Sequence, residues 1–93
     1  MVIGTCKVYL TAEWVGSLKE KRTVVKSIIN KTRSRFNAAI AEVDKQDVWK
    51  SIVLGFACVS NDAGHADSMI NHALRFIEKN TDAVIDNIEI EII

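Results

Sequence analysis

The sequence predicts an α+β fold in which two helices cover one face of a four-stranded antiparallel sheet. Apolar and polar residues alternate with period two near both ends of the chain, in Val2–Leu10 and Ala83–Ile93. Two segments with helical spacing of apolar residues, 17–36 and 62–80, flank a pair of further strand-like runs. The resulting order, β-α-β-β-α-β, is the split arrangement of ferredoxin-like folds, and residues 1–93 are assigned to one such domain.

The first strand leads through a loop into a helix with a clear start. Ser17 and Glu20 form a capping box, a pattern in which two side chains satisfy free backbone amides at a helix start. The helix is expected to run from Ser17 to about Phe36. On a wheel of about 100° per residue, its core-facing side is predicted to hold Leu18, Val25, Ile29 and Phe36, flanked by Val24, Ile28 and Thr32.

The two middle strands differ in strength. Ala38–Asp44 is weak by propensity, whereas Trp49–Val59 is the strongest strand and is apolar on both of its faces. A central strand with one face in water is not expected to show this pattern. We therefore place the first and third strands in the middle of the sheet. We also expect a second copy of the chain to cover the open face of the sheet, or its edge.

The second helix and the last strand complete the predicted fold. Helix-start residues occupy positions 60–62, and Asn80 is the expected stop. The last strand alternates isoleucines at 88, 90 and 92 with glutamates at 89 and 91, which predicts a half-buried strand.

The composition is that of a small globular protein. Hydrophobic residues make up 48% of the chain, and no apolar run is long enough to span a bilayer. The first ten residues do not resemble a signal peptide. Cys6 and Cys58 lie in apolar strand-like runs, so they are expected to be buried free thiols in a reducing compartment. These features favour a cytoplasmic protein with no membrane partner.

The charge of the chain is unevenly distributed. Its formal net charge is zero, yet residues 17–36 carry seven basic side chains and one acidic one. The rest of the chain therefore has a net charge of −6. A neutral total argues against a uniformly basic nucleic-acid binder, but not against a local basic surface.

One flank of the first helix is predicted to carry a basic stripe. Lys19, Arg22, Lys26 and Arg33 fall within about 60° of one another on the wheel, and no acid interrupts them. Such a row could bind consecutive phosphates, with the arginines contributing bidentate contacts. The alternative is a solvated face that keeps the domain soluble, or one that pairs with the acidic last strand of a neighbour. Two further candidates, Lys7 and Tyr9, are placed on the open sheet face as a small stacking platform.

Other side chains give no defensible catalytic or metal site. His65 and His72 are two helical turns apart, too far to share one metal, and Asp62 and Asp67 suit a helix start. The carboxylates at 42, 44 and 47 suit the guarding of an edge hairpin. Trp14 and Trp49 are expected to be packing anchors. No nucleophile motif or phosphate-cradling loop is present, so we expect a protein without enzymatic activity, cofactor or metal.

One carboxylate is left without an assignable partner. Strand alternation places Glu42 in phase with Ala38 and Ile40, which indicates that it points toward the core. A buried carboxylate needs a partner, and the sequence does not identify one.

Several short motifs together resemble a known family. They are SLKEKR at 17–22, RFN at 35–37, AEVD at 41–44, QD at 46–47, LG at 54–55, VSND at 59–62 and IEIEII at 88–93. In these motifs the chain resembles the YlxP-like family of small bacterial proteins of uncharacterised function. The resemblance covers nearly the whole chain and implies a ferredoxin-like fold. It also implies a gene that often lies among genes for translation initiation and ribosome maturation.

These observations lead to two expectations for function. The first is a small non-enzymatic RNA- or ribosome-associated factor whose basic stripe binds phosphates of ribosomal RNA or of a ribosomal particle. The alternative is a homo-oligomeric protein-interaction module, such as a homodimer, with no role in nucleic-acid binding.

Overall fold

The computed structural model describes every residue from Met1 to Ile93 and contains six regular elements. In chain order they are β1 (Val2–Thr11), α1 (Leu18–Arg35), β2 (Ala39–Asp44), β3 (Ser51–Ser60), α2 (Ala63–Lys79) and β4 (Val84–Ile92). The four strands form one sheet in the order β2-β3-β1-β4, with every neighbouring pair antiparallel. The predicted fold class is confirmed, and so is the placement of the first and third strands in the middle of the sheet.

The core lies between the helices and one face of the sheet. In β1, alternate residues from Gly4 to Leu10 are buried beneath the helices, as period-two geometry requires. In β3, Ile52, Leu54, Phe56 and Cys58 share that side. From α2 the core receives Ala66, Ile70, Ala73 and Ile77. Neither helix is long and apolar enough to cross a membrane.

Both helix starts are capped by side chains. The Ser17 hydroxyl accepts a hydrogen bond from the Glu20 amide at 3.1 Å, which confirms one half of the predicted capping box. The Glu20 carboxylate instead accepts from the Gly16 amide, also at 3.1 Å, one residue before the position expected. At α2, the Asp62 carboxylate accepts from the His65 amide at 2.8 Å. Each cap satisfies an amide that the helix itself leaves free.

Helix α1 is rotated relative to the prediction from the wheel. Its buried line consists of Lys21, Val25, Ile28 and Thr32, whereas Leu18, Ile29 and Phe36 are only partly buried. The predicted core-facing residues did not include Lys21, and this part of the prediction is wrong. A lysine is ordinarily solvated, but a carboxylate on β2 provides the charge that allows Lys21 to be buried.

The two tryptophans do not anchor the core. Trp14 is 49% exposed and Trp49 is 51% exposed, and neither belongs to the buried cluster. The prediction that they are packing anchors is therefore wrong. Strand β3 also begins at Ser51, later than expected, because residues 45–50 form the turn that joins it to β2.

Gly4 allows α2 to approach β1 closely. A Cβ at this position would lie 2.8 Å from Ile70 Cδ1, 3.1 Å from Cys58 Sγ and 3.3 Å from Ala66 Cβ. We expect Gly4→Ala to lower the free energy of unfolding by about 1–3 kcal/mol, as overpacking of a close-packed core does. Gly16→Ala is the matched control, because a Cβ there meets nothing within 4 Å. Equal stabilities of the two variants in urea unfolding would contradict this account.

Candidate nucleic-acid interface

The predicted basic stripe lies on the flank of α1 that faces the outer edge of β2. All four of its side chains, Lys19, Arg22, Lys26 and Arg33, are exposed. The last three line a surface groove of about 450 Å³ between α1 and β2, together with residues that include Ile29, Asn30, Ala41 and Gln46. The helix therefore holds these cations in a row beside a groove, rather than scattered over a convex surface.

The stripe has almost no counter-charge within the chain. The protein contains only two ion pairs, Lys21 with Glu42 and Lys50 with Glu13, and neither involves a stripe residue. Arg33 donates to the Ile40 carbonyl oxygen at 3.1 Å, which holds its guanidinium at the edge of β2. Side chains 19, 22 and 26 form no side-chain hydrogen bond with the rest of the chain. Three cations thus keep their full capacity to bind an anion.

A buried ion pair supports the groove from below. Lys21 Nζ lies 2.9 Å from Glu42 Oε2 and donates to the Lys45 carbonyl oxygen at 2.6 Å. Lys21 is only 1% exposed, and Lys45 has a left-handed backbone with φ of 52°. Lys21 is therefore the partner that Glu42 needs, and it joins α1 to the turn between β2 and β3.

The other two predicted site residues lie on the opposite side of the sheet. Tyr9 donates its hydroxyl to Glu89 at 2.9 Å, and Lys7 Nζ lies 5.5 Å from the centre of the Tyr9 ring. The Tyr9 phenol, followed by the carboxylates of Glu89 and Asp44, raises the pKa of Lys7 above its ordinary value. Lys7 and Tyr9 thus lie together, but the sheet separates them from the stripe.

The structure also reveals a second basic cluster, which was not predicted from the sequence. At the carboxyl ends of the two helices, a surface depression of about 520 Å³ is lined by Arg35, Phe36, His72, Arg75, Phe76 and Lys79. The two phenylalanine rings pack edge to face with centroids 5.6 Å apart, and Arg35 lies 5.9 Å from the centre of the Phe76 ring. The sequence does show basic residues in the last turns of both helices. Such residues ordinarily interact with the helix dipole, so by themselves they do not indicate a binding surface.

The remaining polar candidates have structural surroundings. Ser60 Oγ lies 3.2 Å from His65 Nδ1, close to the cap of α2. No three side chains of the types that hold metals are grouped together. Cys6 and Cys58 are buried and free, as predicted, and burial raises the pKa of the Cys6 thiol to about 11. Cys6 therefore remains protonated at neutral pH and is a poor nucleophile.

Comparison with known proteins agrees with the fold and identifies the family. A de novo designed protein with a ferredoxin fold, solved by NMR, superposes with a TM-score of 0.63 at 18% identity, over 98% of this chain and 86% of the design. The uncharacterised protein YlxP of Bacillus subtilis is 38% identical over 63 residues, which is 68% of each chain. Residues 3–90 match the family described as "Protein of unknown function (DUF503)". The chain therefore belongs to this YlxP-like family.

Proposed function

We propose that this protein is a small non-enzymatic RNA-binding factor that associates with ribosomal RNA or a ribosomal particle through the basic stripe on α1. The observation that carries the proposal is the row of exposed cations at 19, 22, 26 and 33, three of which have no partner in the chain. A helix that needed only solubility would gain from acids interspersed at spacings of three and four residues.

The dimensions of the stripe suit an extended phosphate backbone. Lys19 and Arg33 are fourteen residues apart on one helix, which gives a row about 20 Å long at 1.5 Å per residue. This length allows contacts with several consecutive phosphates. Arg22 and Arg33 can each hold two phosphate oxygens, whereas Lys19 and Lys26 act as point charges. Phosphate contacts position a nucleic acid without reading its bases, so we expect little sequence preference.

The sheet face is a poorer phosphate surface than the stripe. Glu89 and Glu91 lie directly opposite Lys7 and Thr5 in the register between β1 and β4. Their negative charges outnumber the single ammonium of Lys7 and oppose an approaching phosphate. We therefore limit the proposed RNA contact to α1 and the groove beside it, and assign Lys7 and Tyr9 no part in it.

The proposal predicts a steep salt dependence of RNA binding. Four phosphate contacts to single-stranded RNA give a slope of roughly −3 in a plot of log affinity against log salt concentration. Fluorescence anisotropy with a labelled single-stranded fragment of ribosomal RNA, titrated at several KCl concentrations, measures this slope directly. Absence of binding at low salt, or a slope near zero, would contradict the proposal.

Capture of ribosomal particles provides the cellular test. Tagged protein should retain ribosomal particles from lysate, and treatment with ribonuclease should release them. If the protein retains protein partners equally well after ribonuclease treatment, and no purified RNA binds, the interaction module without a nucleic-acid role is the better description.

A further inference from the structure

The face of the sheet opposite the helices carries an apolar groove. It has a volume of about 820 Å³, and its floor is built from small side chains of β2 and β3, namely Ala39, Ala41, Gly55 and Ala57. Val43 and Val59 add large apolar side chains that are 51% and 62% exposed. Neither helix packs over this face, and the chain itself covers only the end of the face at Val53, which is 1% exposed.

The two rims of this groove have opposite charge. Glu89 and Glu91 line it along β4, while Arg33 lines it along the outer edge of β2. The central strands lie between the rims and contribute only one charge, that of Lys7. Asp44 lies on the same face at the far end of β2, outside the groove lining. The groove itself is acidic along one rim, apolar in the middle and basic at Arg33 on the other rim, so it can be complementary to itself.

The orientation of the two-fold axis in a dimer determines whether rims of opposite charge face each other. A two-fold axis parallel to the strands and midway between the two sheets places the β4 rim of one copy over the β2 rim of the other, twice. An axis perpendicular to the strands instead places β4 over its own copy, so that glutamates oppose glutamates. Like charges that face each other destabilise an interface, so the first arrangement is favoured.

The size of the face is sufficient for a specific dimer. Four strands about 4.8 Å apart and about nine residues long at 3.3 Å each give a projected area of about 570 Å² per copy. Two copies would bury about 1,100 Å² or more, near the lower end of specific protein interfaces. Two sheets can pack face to face about 10 Å apart. A second copy presents a sheet of the same width, so it covers the whole apolar face.

We infer that a second copy of this chain covers the open sheet face, with the two-fold axis parallel to the strands and the acidic β4 rim of each copy over the basic β2 rim of the other. The stripe cations at 19, 22 and 26 lie on the opposite layer, so this interface leaves them accessible.

The mass in solution tests the inference. Sedimentation equilibrium from about 1 to 300 µM should show a transition from the 10.4 kDa chain to twice that mass. This concentration range covers the dissociation constants expected for a small interface. Ala57→Lys places an ammonium on the central strand β3, in the apolar middle of the face, and should weaken dimerisation by at least about tenfold. Ser68→Lys adds the same charge on the exposed side of α2 and should leave the dimer unchanged.

A second variant tests the orientation of the two copies. Glu91→Lys makes the acidic rim basic and places it over Arg33 of the other copy, so dimerisation should weaken. With the perpendicular axis, the same change would remove a repulsion between glutamates and would strengthen dimerisation. A monomer at every concentration, an Ala57→Lys variant that dimerises like the unaltered protein, or a tighter Glu91→Lys dimer would each overturn the inference. Circular dichroism confirms that each variant is folded.

Discussion

Lys21→Met, with Glu42 left in place, is expected to lower the free energy of unfolding by about 3–5 kcal/mol. The Lys21 ammonium is buried beside the Glu42 carboxylate and also donates to the Lys45 carbonyl oxygen. Methionine preserves most of the apolar stem but leaves the carboxylate without a compensating charge. Because domains of this size are stable by only about 5–15 kcal/mol, urea unfolding should show a large shift of the midpoint.

Two further variants show whether the loss comes from the buried charge. In the double variant Lys21→Met with Glu42→Leu, both charges are absent, and most of the stability should return. Lys50→Met is the matched control at the surface, where the ion pair with Glu13 spans 3.7 Å between exposed side chains. That change should cost no more than about 1 kcal/mol. If Lys21→Met cost no more than Lys50→Met, the buried ion pair would not be present in the folded protein.

Reversal of two stripe charges, Arg22→Glu with Lys26→Glu, is expected to weaken RNA binding by at least about 25-fold in 0.1 M salt. At that concentration, release of counterions from single-stranded RNA contributes about fivefold in affinity for each phosphate contact. Two contacts are lost, and the new carboxylates repel the backbone in addition. The salt slope should fall from roughly −3 to about −1.4, since two of the four contacts remain.

The second basic cluster provides the matched control for this experiment. Arg75→Glu with Lys79→Glu changes the net charge by the same amount, at exposed positions on α2. Its binding should decrease much less than that of the stripe variant. Equal losses in the two variants would mean that RNA responds to overall charge, and the stripe would then not be a defined contact.

The sequence was sufficient for the fold because local and long-range signals agree. A local signal locates each of these elements: alternation locates β1 and β4, the capping residue Ser17 locates the start of α1, and apolar residues on both faces locate β3. The sheet order then follows from the order of the elements along the chain. Even the inward direction of Glu42 could be predicted from strand parity. These are properties of neighbouring residues, which a single sequence displays directly.

Contacts between distant segments could not be predicted in the same way. Lys21 pairs with Glu42 only because β2 packs beside α1, and no periodicity in the helix reveals that neighbour. The cluster around Phe36 and Phe76 likewise depends on how the ends of two helices meet. The half-exposed tryptophans show the opposite error, because a large aromatic side chain in a loop need not reach the core.

The two-layer architecture separates the cations of α1 from the apolar sheet face by the thickness of the sheet itself. A nucleic acid resting against the helix and a protein resting against the strands would not collide, so occupancy of one surface cannot sterically exclude the other. Arg33 is the exception, because its side chain reaches the edge of β2 and lines the grooves on both layers. Any communication between two bound partners would therefore be concentrated at this guanidinium.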